Sequence, residues 1–414
     1  MPSPRAAAAG SAPPAAMTTS FTLLLATAVG VIVLNLYASQ PLIGPIGPAL
    51  GLPPAAASLV TTLTLLAYAA GLVLVVPLVD LVSNRPLIVT TLALCATGLA
   101  VTAAAGSTTL FLAATVLVGL TSTVIQMLVP IAAALAAPTD RGRVVGNVMT
   151  GLMVGILLSR PAASLMADAF GWRSFYALTA VLVALLALVL HRLLPDLRPP
   201  RGMRYGSLIA SLWTLMRDEP LLRWRAAYQG LLMGAFSAFW TAAALRLAAP
   251  PFGLGQQGIA LFALAGAAGA MAAPVAGRVA DRGWSRQATL VAHGIAIAGI
   301  LLAGAVAGGD WRAWDPGAMP GMSLGLLILA AVLLDIGVVA DQILGRHAIN
   351  TLRPEARGRL NGLYTGLFFL GGSAGAAAAG PAWALGGWPA VCWVGLGFAA
   401  AAMLLRIIDN DPGR

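Results

Sequence analysis

The sequence predicts an all-α polytopic membrane protein with twelve transmembrane helices arranged in two pseudo-symmetric six-helix bundles. Three observations carry this prediction. Of the 414 residues, 59% are hydrophobic and 9% are charged, which is too few charges for the surface of a soluble domain of this size. The apolar stretches between charged clusters are long enough to cross a bilayer, which takes roughly 20 residues per helix. Short charged motifs of the first half recur in the second half.

The predicted spans are the apolar stretches between these clusters. They cover residues 20–40, 56–79, 86–105, 108–135, 145–168, 173–192, 224–247, 257–280, 287–308, 321–345, 360–383 and 387–407. A long loop rich in Arg and Pro separates the first six spans from the last six. The domain prediction is a disordered cytoplasmic tail at 1–19, a first bundle at 20–192, a cytoplasmic linker at 193–223, a second bundle at 224–407 and a cytoplasmic tail at 408–414.

Three charged positions of the first half have counterparts in the second half. The pairs are Asp80 with Asp281, Arg85 with Arg286, and Arg141 with Arg357, at shifts of 201, 201 and 216 positions. A polar insertion at 309–319 accounts for the larger shift. Parallel repeats related by an axis along the membrane normal are one architecture of secondary transporters. The pattern therefore predicts a duplicated membrane unit.

The basic residues indicate the orientation. The 24 basic residues are all arginine, and a cytoplasmic N-terminus places twenty of them in inside loops and tails, against Arg173, Arg246 and Arg312 outside. Because cytoplasmic loops carry an excess of basic residues, both termini are expected in the cytoplasm. The formal charge of +10 needs no nucleic acid to explain it, since topology and attraction to the anionic lipid bilayer account for it.

Several motifs resemble a known family. They are NLYASQPLIGPIGPALG after the first span, GWRSFY opening the sixth, and LLDIGVVADQ and RPEARGRLNGLY around the loop between the tenth and eleventh spans. With the Asp-containing turns after the second and eighth spans, they resemble the major facilitator superfamily, in its bacterial drug:proton antiporter-like branch. One departure is Val76, where the family has Gly. The resemblance, over about residues 20–407, implies the major facilitator fold, alternating access and the inner (plasma) membrane of a bacterium.

The resemblance also implies that the repeated charges form a cytoplasmic latch. The gating candidates are Asp80, Arg85, Arg141, Asp281, Arg286 and Arg357. An Asp at a cytoplasmic helix end can bind a nearby Arg and the positive end of a neighbouring helix when that side is closed. The alternative is that these charges only fix topology, which leaves the two Asp residues unexplained.

Two charged residues fall inside predicted spans. Arg160 lies past the middle of the fifth span and Asp335 lies inside the tenth. Charges are costly in hydrocarbon and mark partners or functional sites. Arg160 is a candidate anion or substrate contact, and Asp335 is a candidate for a coupled proton or cation; structural hydrogen-bond networks are the alternative for both. Asp335 is expected to be the one carboxylate well inside the membrane, because Asp341 is six residues nearer the cytoplasmic end.

Polar residues on spans that, by resemblance, line a central cavity complete the candidate site. They are Asn35, Tyr37, Gln40, Tyr68, Gln126, Gln229, Trp240 and Gln342. Gln126 and Gln342 are 216 positions apart, so the repeat places them at matching depths. For each residue alone, a helix-to-helix hydrogen bond is the alternative. The histidines, among them His293, fall near predicted cytoplasmic ends and are expected to be solvated or at a helix end.

These features predict a secondary active transporter that moves a small organic solute across the inner membrane by alternating access. Proton-coupled efflux is the first expectation, and a sugar or amino-acid permease is the alternative. A non-transporting scaffold or sensor is the alternative from another class. No clustered acid, base, nucleophile or metal set supports an enzyme. The expected partners are the small-molecule substrate, protons and the bilayer, with no nucleic acid. We expect a monomer with no cofactor or metal, driven by the proton gradient.

Overall fold

The computed structural model describes residues 18–198, 204–306, 317–353 and 356–409. In this part of the chain, eleven helical segments are long and apolar enough to cross a membrane. They are Thr19–Tyr37, Pro54–Asp80, Asn84–Ala104, Thr108–Leu135, Arg141–Phe170, Trp172–Leu193, Pro220–Ala248, Gln256–Asp281, Ser285–Val306, Pro320–Asn350 and Arg357–Ile408. The last segment has 52 residues and leaves the helical conformation at Gly386 and Gly387, so it holds the eleventh and twelfth spans. The prediction of an all-α polytopic protein is confirmed.

The same sharp turn follows the fifth span and the eleventh. Gly171 has φ 80° and Gly387 has φ 60°, a region that glycine enters without a steric penalty. Trp172 and Trp388 come next, and both side chains are buried. The repeat in the sequence therefore reproduces a turn that starts the last span of each bundle.

Helical structure continues beyond the predicted end of the first span and begins before the predicted start of the seventh. The helix Thr19–Tyr37 is followed at once by a second helix, Ser39–Ala49. The seventh span begins at Pro220, at its first helical position, rather than at 224. Proline is tolerated in a first turn because the N–H groups there have no intrahelical partner. Pro220 therefore starts the seventh span, whereas Pro45 and Pro48 lie inside the helix Ser39–Ala49.

The linker contains a helix, Tyr205–Asp218. Its buried face consists of Leu208, Leu212 and Leu215. The Tyr205 hydroxyl donates to the Leu74 carbonyl at 2.8 Å, and Arg359 Nη1 donates to Ser211 Oγ at 2.9 Å. The linker helix thus contacts the second span of one bundle and the eleventh span of the other. The predicted tails and the insertion at 309–319 lie largely outside the described residues.

Glycines bring matching pairs of helices together in the two bundles. A side chain at Gly155 of the fifth span would collide with the backbone of Gly30 in the first span. A side chain at Gly375 of the eleventh span would collide with the backbone of Gly234 in the seventh. Small residues at such positions let membrane helices approach closely. Gly151 and Gly155 on the fifth span, and Gly371 and Gly375 on the eleventh, have the GxxxG spacing that allows this packing.

The bundles touch at the end of the membrane away from the linker. There, Gly380 of the eleventh span packs against the backbone of Ala55 at the start of the second span. Gln257 Nε2 of the eighth span donates to Asp168 Oδ2 of the fifth at 2.8 Å. These contacts close that end.

The fifth and eighth spans are apart at the linker end. Gly146 lies fourteen residues before Arg160 on the fifth span, and Gly277 lies eleven residues after Gly266 on the eighth. Both separations are near a whole number of helical turns, so Gly146 and Gly277 face the same way as Arg160 and Gly266, toward the opposite bundle. Among the described residues, a side chain at Gly146 or Gly277 would meet nothing within 4 Å. The fifth and eighth spans therefore leave open space between the bundles on the linker side.

Candidate functional site between the two bundles

Arg160 lies at the contact between the bundles and is only 5% exposed. Its Nε donates to Gln40 Oε1 at 2.7 Å. The guanidinium carbon lies over the rings of Tyr37, Phe236 and Trp240, at 5.2, 5.2 and 4.3 Å from their centroids. Aromatic faces attract cations, and this attraction grows when water is excluded. The buried charge is therefore stabilised by residues of both bundles.

Asp335 approaches the same place from the tenth span and is 3% exposed. Trp240 Nε1 donates to Asp335 Oδ1 at 2.9 Å. A side chain at Gly266 would lie 2.8 Å from Asp335 Oδ2 and 3.7 Å from Arg160 Nη1. The absence of a side chain at Gly266 thus lets the carboxylate and the guanidinium converge on one point.

The two opposite charges are close but do not touch. Among the described residues, no ion pair within 4 Å joins Arg160 to Asp335. Trp240 lies between them, with its ring under Arg160 and its N–H on Asp335. Arg160 Nη2 is buried and has no hydrogen-bond partner in the described part of the chain. A buried donor without a partner costs free energy, so this atom is suited to a ligand acceptor.

An aromatic wall continues from this point toward the linker side. The ring of Phe369 lies 6.4 Å from that of Tyr37 and 4.7 Å from that of Tyr68. Gln126 Nε2 donates to the Tyr68 hydroxyl at 3.5 Å. The residues predicted for the site that the structure brings together are Tyr37, Gln40, Tyr68, Gln126, Arg160, Trp240 and Asp335.

Three other predicted site residues are not linked to this cluster. Asn35 Nδ2 donates to the carbonyl of Ile32 on its own helix. Gln229 is fully buried, and its side chain has no hydrogen-bond partner among the described residues. Gln342 accepts a hydrogen bond from Tyr364 only through its backbone carbonyl in this part of the chain. Gln126 and Gln342 therefore make unlike contacts, although the repeat relates them.

The sequence search missed Phe236, Phe369 and Gly266. It looked for polar side chains, while two of these three residues are aromatic and one has no side chain. Phe236 precedes Trp240 by four residues, so both lie on one helix face. That spacing could have indicated Phe236 as a site residue, whereas no feature of the sequence distinguished Gly266.

The repeated arginines occupy matching helix ends. Arg141 Nε donates to the carbonyl of Ala133, at 3.0 Å, at the end of the fourth span. Arg357 Nε donates to the carbonyl of Asn350, at 3.2 Å, at the end of the tenth span. Cations are favoured at helix C-termini, where carbonyls lack intrahelical partners. Each arginine thus ties a short loop to the preceding helix.

The two aspartates of the predicted latch differ. Asp80 is exposed, and no ion pair joins it to Arg85 or Arg141 in the described residues. Asp281 Oδ1 lies 3.3 Å from His347 Nε2, with Arg286 exposed nearby in sequence. The latch contacts expected for a closed linker side are absent from the described part of this open form.

One expectation is wrong: His293 is fully buried and lies well within the helix Ser285–Val306, so it is neither solvated nor at a helix end. Asp341 is 1% exposed, so a second buried carboxylate lies six residues from Asp335 on the tenth span. The cause is close packing of the ninth and tenth spans, where a side chain at Gly337 would collide with the backbone of Ala292. Side chains toward the linker-side ends of these two helices are therefore buried by the neighbouring span as well.

The comparisons with known proteins agree with this architecture. The sequence profile of the Major Facilitator Superfamily matches residues 25–319, and the chain belongs to this family. The chain is similar to the "Uncharacterized transporter YgaY" of Escherichia coli O157:H7, with 37% identity over 92% of this chain and 94% of that protein. It is 34% identical to the "Probable transporter SCO4007" of Streptomyces coelicolor, over 97% of this chain and 91% of that one.

A solved structure shares the fold. It is the crystal structure of a bacterial homolog of the human lysosomal transporter Spinster, in an inward-facing and unoccupied conformation. The identity is 14%, the alignment covers 94% of each chain, and the TM-score is 0.69. At this identity the likeness shows the fold alone. The chain is thus a multi-pass membrane protein of a transporter family.

Proposed function

We propose that the protein exports a small organic compound across the bacterial inner membrane in exchange for protons, by alternating access. The observation that carries this proposal is the pair of buried, unpaired opposite charges, Arg160 and Asp335, at the contact between the bundles. A buried charge is costly inside a membrane protein, and these two charges lie where a ligand would contact both bundles. One chain contains both bundles, so a monomer suffices.

The chemistry of the site supports exchange. Arg160 Nη2 offers a buried donor to an anionic or acceptor group of the substrate. A hydrogen-bond donor group of the same substrate would compete with a proton for the Asp335 carboxylate, and an amide oxygen at that position could still accept from this donor. Such competition is what exchange needs, because the carrier returns with the proton in place of the substrate. The proton gradient is then the energy source, with no cofactor.

The open linker side is assigned to the cytoplasm on the basis of the arginine distribution. A labelling experiment tests the assignment in a background in which Cys95 and Cys392 are replaced. Gly106→Cys lies between the third and fourth spans, and Arg198→Cys lies in the linker, where the arginine side chain is 78% exposed. A membrane-impermeant maleimide added to cells should label position 106 and spare position 198. The reverse pattern contradicts the orientation.

The transport proposal is tested with purified protein in liposomes. Zwitterionic, anionic, cationic and neutral solutes, including amino acids and sugars, are screened for flux with and without an imposed pH gradient. We expect gradient-driven flux of a charged organic solute in the wild type, and its loss in Arg160→Gln. Arg173→Gln is the matched control, because Arg173 also stacks on a tryptophan, Trp172, but lies away from the site.

Other outcomes of the screen decide between the alternatives. Flux of a neutral sugar that ignores the pH gradient would favour a permease. Gradient-driven flux that survives in Arg160→Gln would remove Arg160 from the substrate site.

A further inference from the structure

An arginine that the export proposal does not use faces the space between the bundles. Arg346 lies eleven residues after Asp335 on the tenth span, or about three helical turns, so both residues are on the same face of that helix. Helix side chains tilt toward the N-terminus, so the Arg346 side chain is directed back toward Asp335 from the linker side. The residue is partly exposed. Arg346 therefore lines the cleft, which is the space between the bundles that opens on the linker side.

Tyrosines of both bundles surround the Arg346 guanidinium. It interacts electrostatically with Tyr37 and Tyr68 of the first bundle and with Tyr364 of the eleventh span. A side chain at Gly345 would collide with the Tyr364 hydroxyl, so this hydroxyl packs against the tenth span one residue before Arg346. The arginine thus lies where the two bundles approach each other, and its charge does more than fix topology.

No carboxylate balances Arg346 in the described part of the chain. None of the ion pairs within 4 Å found there includes it, and its Nε is buried without a hydrogen-bond partner. The groups that act on it electrostatically are the three tyrosines, which are uncharged at neutral pH. A charge inside a membrane protein is costly unless a partner or water compensates it. An anion entering the cleft would supply that partner.

Two hydroxyls can join the arginine in holding an anion. The Tyr68 hydroxyl accepts from Gln126 Nε2 at 3.5 Å, and its own proton can be donated to an anion. The Tyr364 hydroxyl donates to the Gln342 carbonyl at 3.4 Å, which is longer than the usual O–H···O distance of about 2.5–3.0 Å. This weak bond is easily exchanged for one to a charged acceptor. Guanidinium and hydroxyl donors together are suited to a carboxylate.

The two arginines that face the cleft lie at different depths. Arg160 is at the level of Asp335, and Arg346 is about 16 Å from Asp335 along the tenth span, on the linker side. Tyr37 interacts electrostatically with Arg160, Asp335 and Arg346, so it lies between the two levels. A solute that enters from the linker side therefore meets Arg346 before it meets Arg160.

We infer that Arg346, with the Tyr68 and Tyr364 hydroxyls, forms a second anion-binding site in the cleft, which binds the carboxylate of a small organic solute on its way to Arg160. The unbalanced charge raises the local concentration of anions at the open end. The site goes beyond the export proposal and does not depend on it, because it attracts anions whatever the direction or coupling of transport.

The first test measures whether Arg346 draws anions into the cleft. Gln342→Cys, in a chain in which Cys95 and Cys392 are replaced, puts a thiol one turn before Arg346 and keeps the Tyr364 contact, which uses only the backbone of position 342. Purified protein reacts with sulfonatoethyl methanethiosulfonate, an anion, or with trimethylammonioethyl methanethiosulfonate, a cation. We expect the ratio of the two rate constants, anion over cation, to fall about tenfold or more in Arg346→Gln. The ratio cancels any effect of Arg346 on thiol ionisation.

Two further variants are the controls. Arg353→Gln removes the same charge just beyond the end of the same helix, but Arg353 is 40% exposed and its Nε lies 2.5 Å from Glu219 Oε1, so the ratio should change little. Arg346→Lys keeps the charge and should keep most of the preference for the anion. A ratio that is equal with and without Arg346, or a thiol at position 342 that neither reagent reaches, overturns the inference.

The second test measures binding, with benzoate as the probe. Its ring can pack beside those of Tyr68 and Phe369, which lie 4.7 Å apart. The chain carries Gln342→Cys and Arg160→Gln, so that the deeper arginine cannot hold the probe, and N-ethylmaleimide, which is neutral, labels the thiol. We expect benzoate to slow the labelling in a saturable way and benzylammonium, which has a similar shape and the opposite charge, to leave it unchanged.

Variants of the second site decide this test. Arg346→Gln should abolish the protection by benzoate. Tyr68→Phe, which removes only a hydroxyl, should weaken the protection and leave the ratio for the charged reagents unchanged. Protection that persists in full in both variants, or none in the chain that has both residues, overturns the inference. Neither test measures flux or alters Asp335, so failure here leaves the export proposal standing.

Discussion

The two bundles share their packing but not their buried charges. Matching glycines, matching turns before the last span and matching arginines at helix ends occur in both. In the described part of the first bundle, Arg160 is the one buried charged side chain. The described part of the second bundle buries Arg225, Arg246, His293, Asp335, Asp341, Arg406 and Asp409.

The residues that pack the helices are therefore duplicated, whereas the charged residues of the candidate site are not. At the repeat shift of 216, Asp335 corresponds to Gly119 and Arg160 corresponds to Ala376, so neither functional candidate has a charged counterpart. The duplicated residues are those that pack the helices and form the turns, which both bundles need. The unmatched charges lie where the halves meet and within the second bundle. We therefore expect symmetric effects from packing variants and one-sided effects from charge variants.

The largest expected effect is on stability. Gly155→Ala and Gly375→Ala place a methyl group against the backbones of Gly30 and Gly234, and overpacking of this kind costs about 1–3 kcal/mol or more. Both variants should lower the thermal stability of the purified protein by several degrees. Gly146→Ala and Gly362→Ala, on the same two helices but with open space around them, are the controls and should stay close to the wild type. A marked loss of thermal stability in only one of these two variants would contradict the expected symmetry of helix packing.

A smaller effect is expected at the contact between the bundles. Gly266→Ala puts a methyl group 2.8 Å from Asp335 Oδ2, so the carboxylate must shift, while the distance of 3.7 Å to Arg160 Nη1 is an ordinary contact. Gradient-driven flux should fall about tenfold, the equivalent of 1.4 kcal/mol, with little loss of thermal stability. Gly277→Ala, further along the eighth span and with nothing within 4 Å among the described residues, should transport normally. Equal flux in the two variants would show that Gly266 does not shape the site.

The smallest effect concerns the latch. Asp80→Asn removes an exposed charge that makes no ion pair within 4 Å in the described open form, although Arg359 of the second bundle attracts it. It should therefore weaken mainly the closed form, by up to about 1 kcal/mol, the value of an exposed ion pair. Asp281→Asn also loses the exposed pair with His347 in the open form, worth about 0–1 kcal/mol, so its net shift should be smaller. Electron–electron distance measurements between spin labels at Gly146→Cys and Gly277→Cys, in a chain in which Cys95 and Cys392 are replaced, measure both shifts. A larger shift in Asp281→Asn than in Asp80→Asn would contradict the proposed latch.

Much of the fold followed from the sequence because membrane helices obey simple rules of length and charge. The cost of charge in hydrocarbon was enough to select Arg160 and Asp335 as site residues. The sequence could not indicate that Arg160 binds Gln40 while Trp240 holds Asp335, since these contacts depend on which helix faces meet. It also could not indicate the burial of His293 and Asp341, because distance from a helix end says nothing about the neighbour that covers it.

The central claim is that the coupling charge is Asp335, in the second bundle. Asp335→Asn keeps the shape and can still accept from Trp240 Nε1, but it cannot carry the proton. The direct measurement compares two fluxes of the transported solute in liposomes: net flux driven by a pH gradient, and exchange at equal pH. The account predicts that the variant loses the first and keeps most of the second, because exchange moves no net proton. Gradient-driven flux that survives in Asp335→Asn would contradict it.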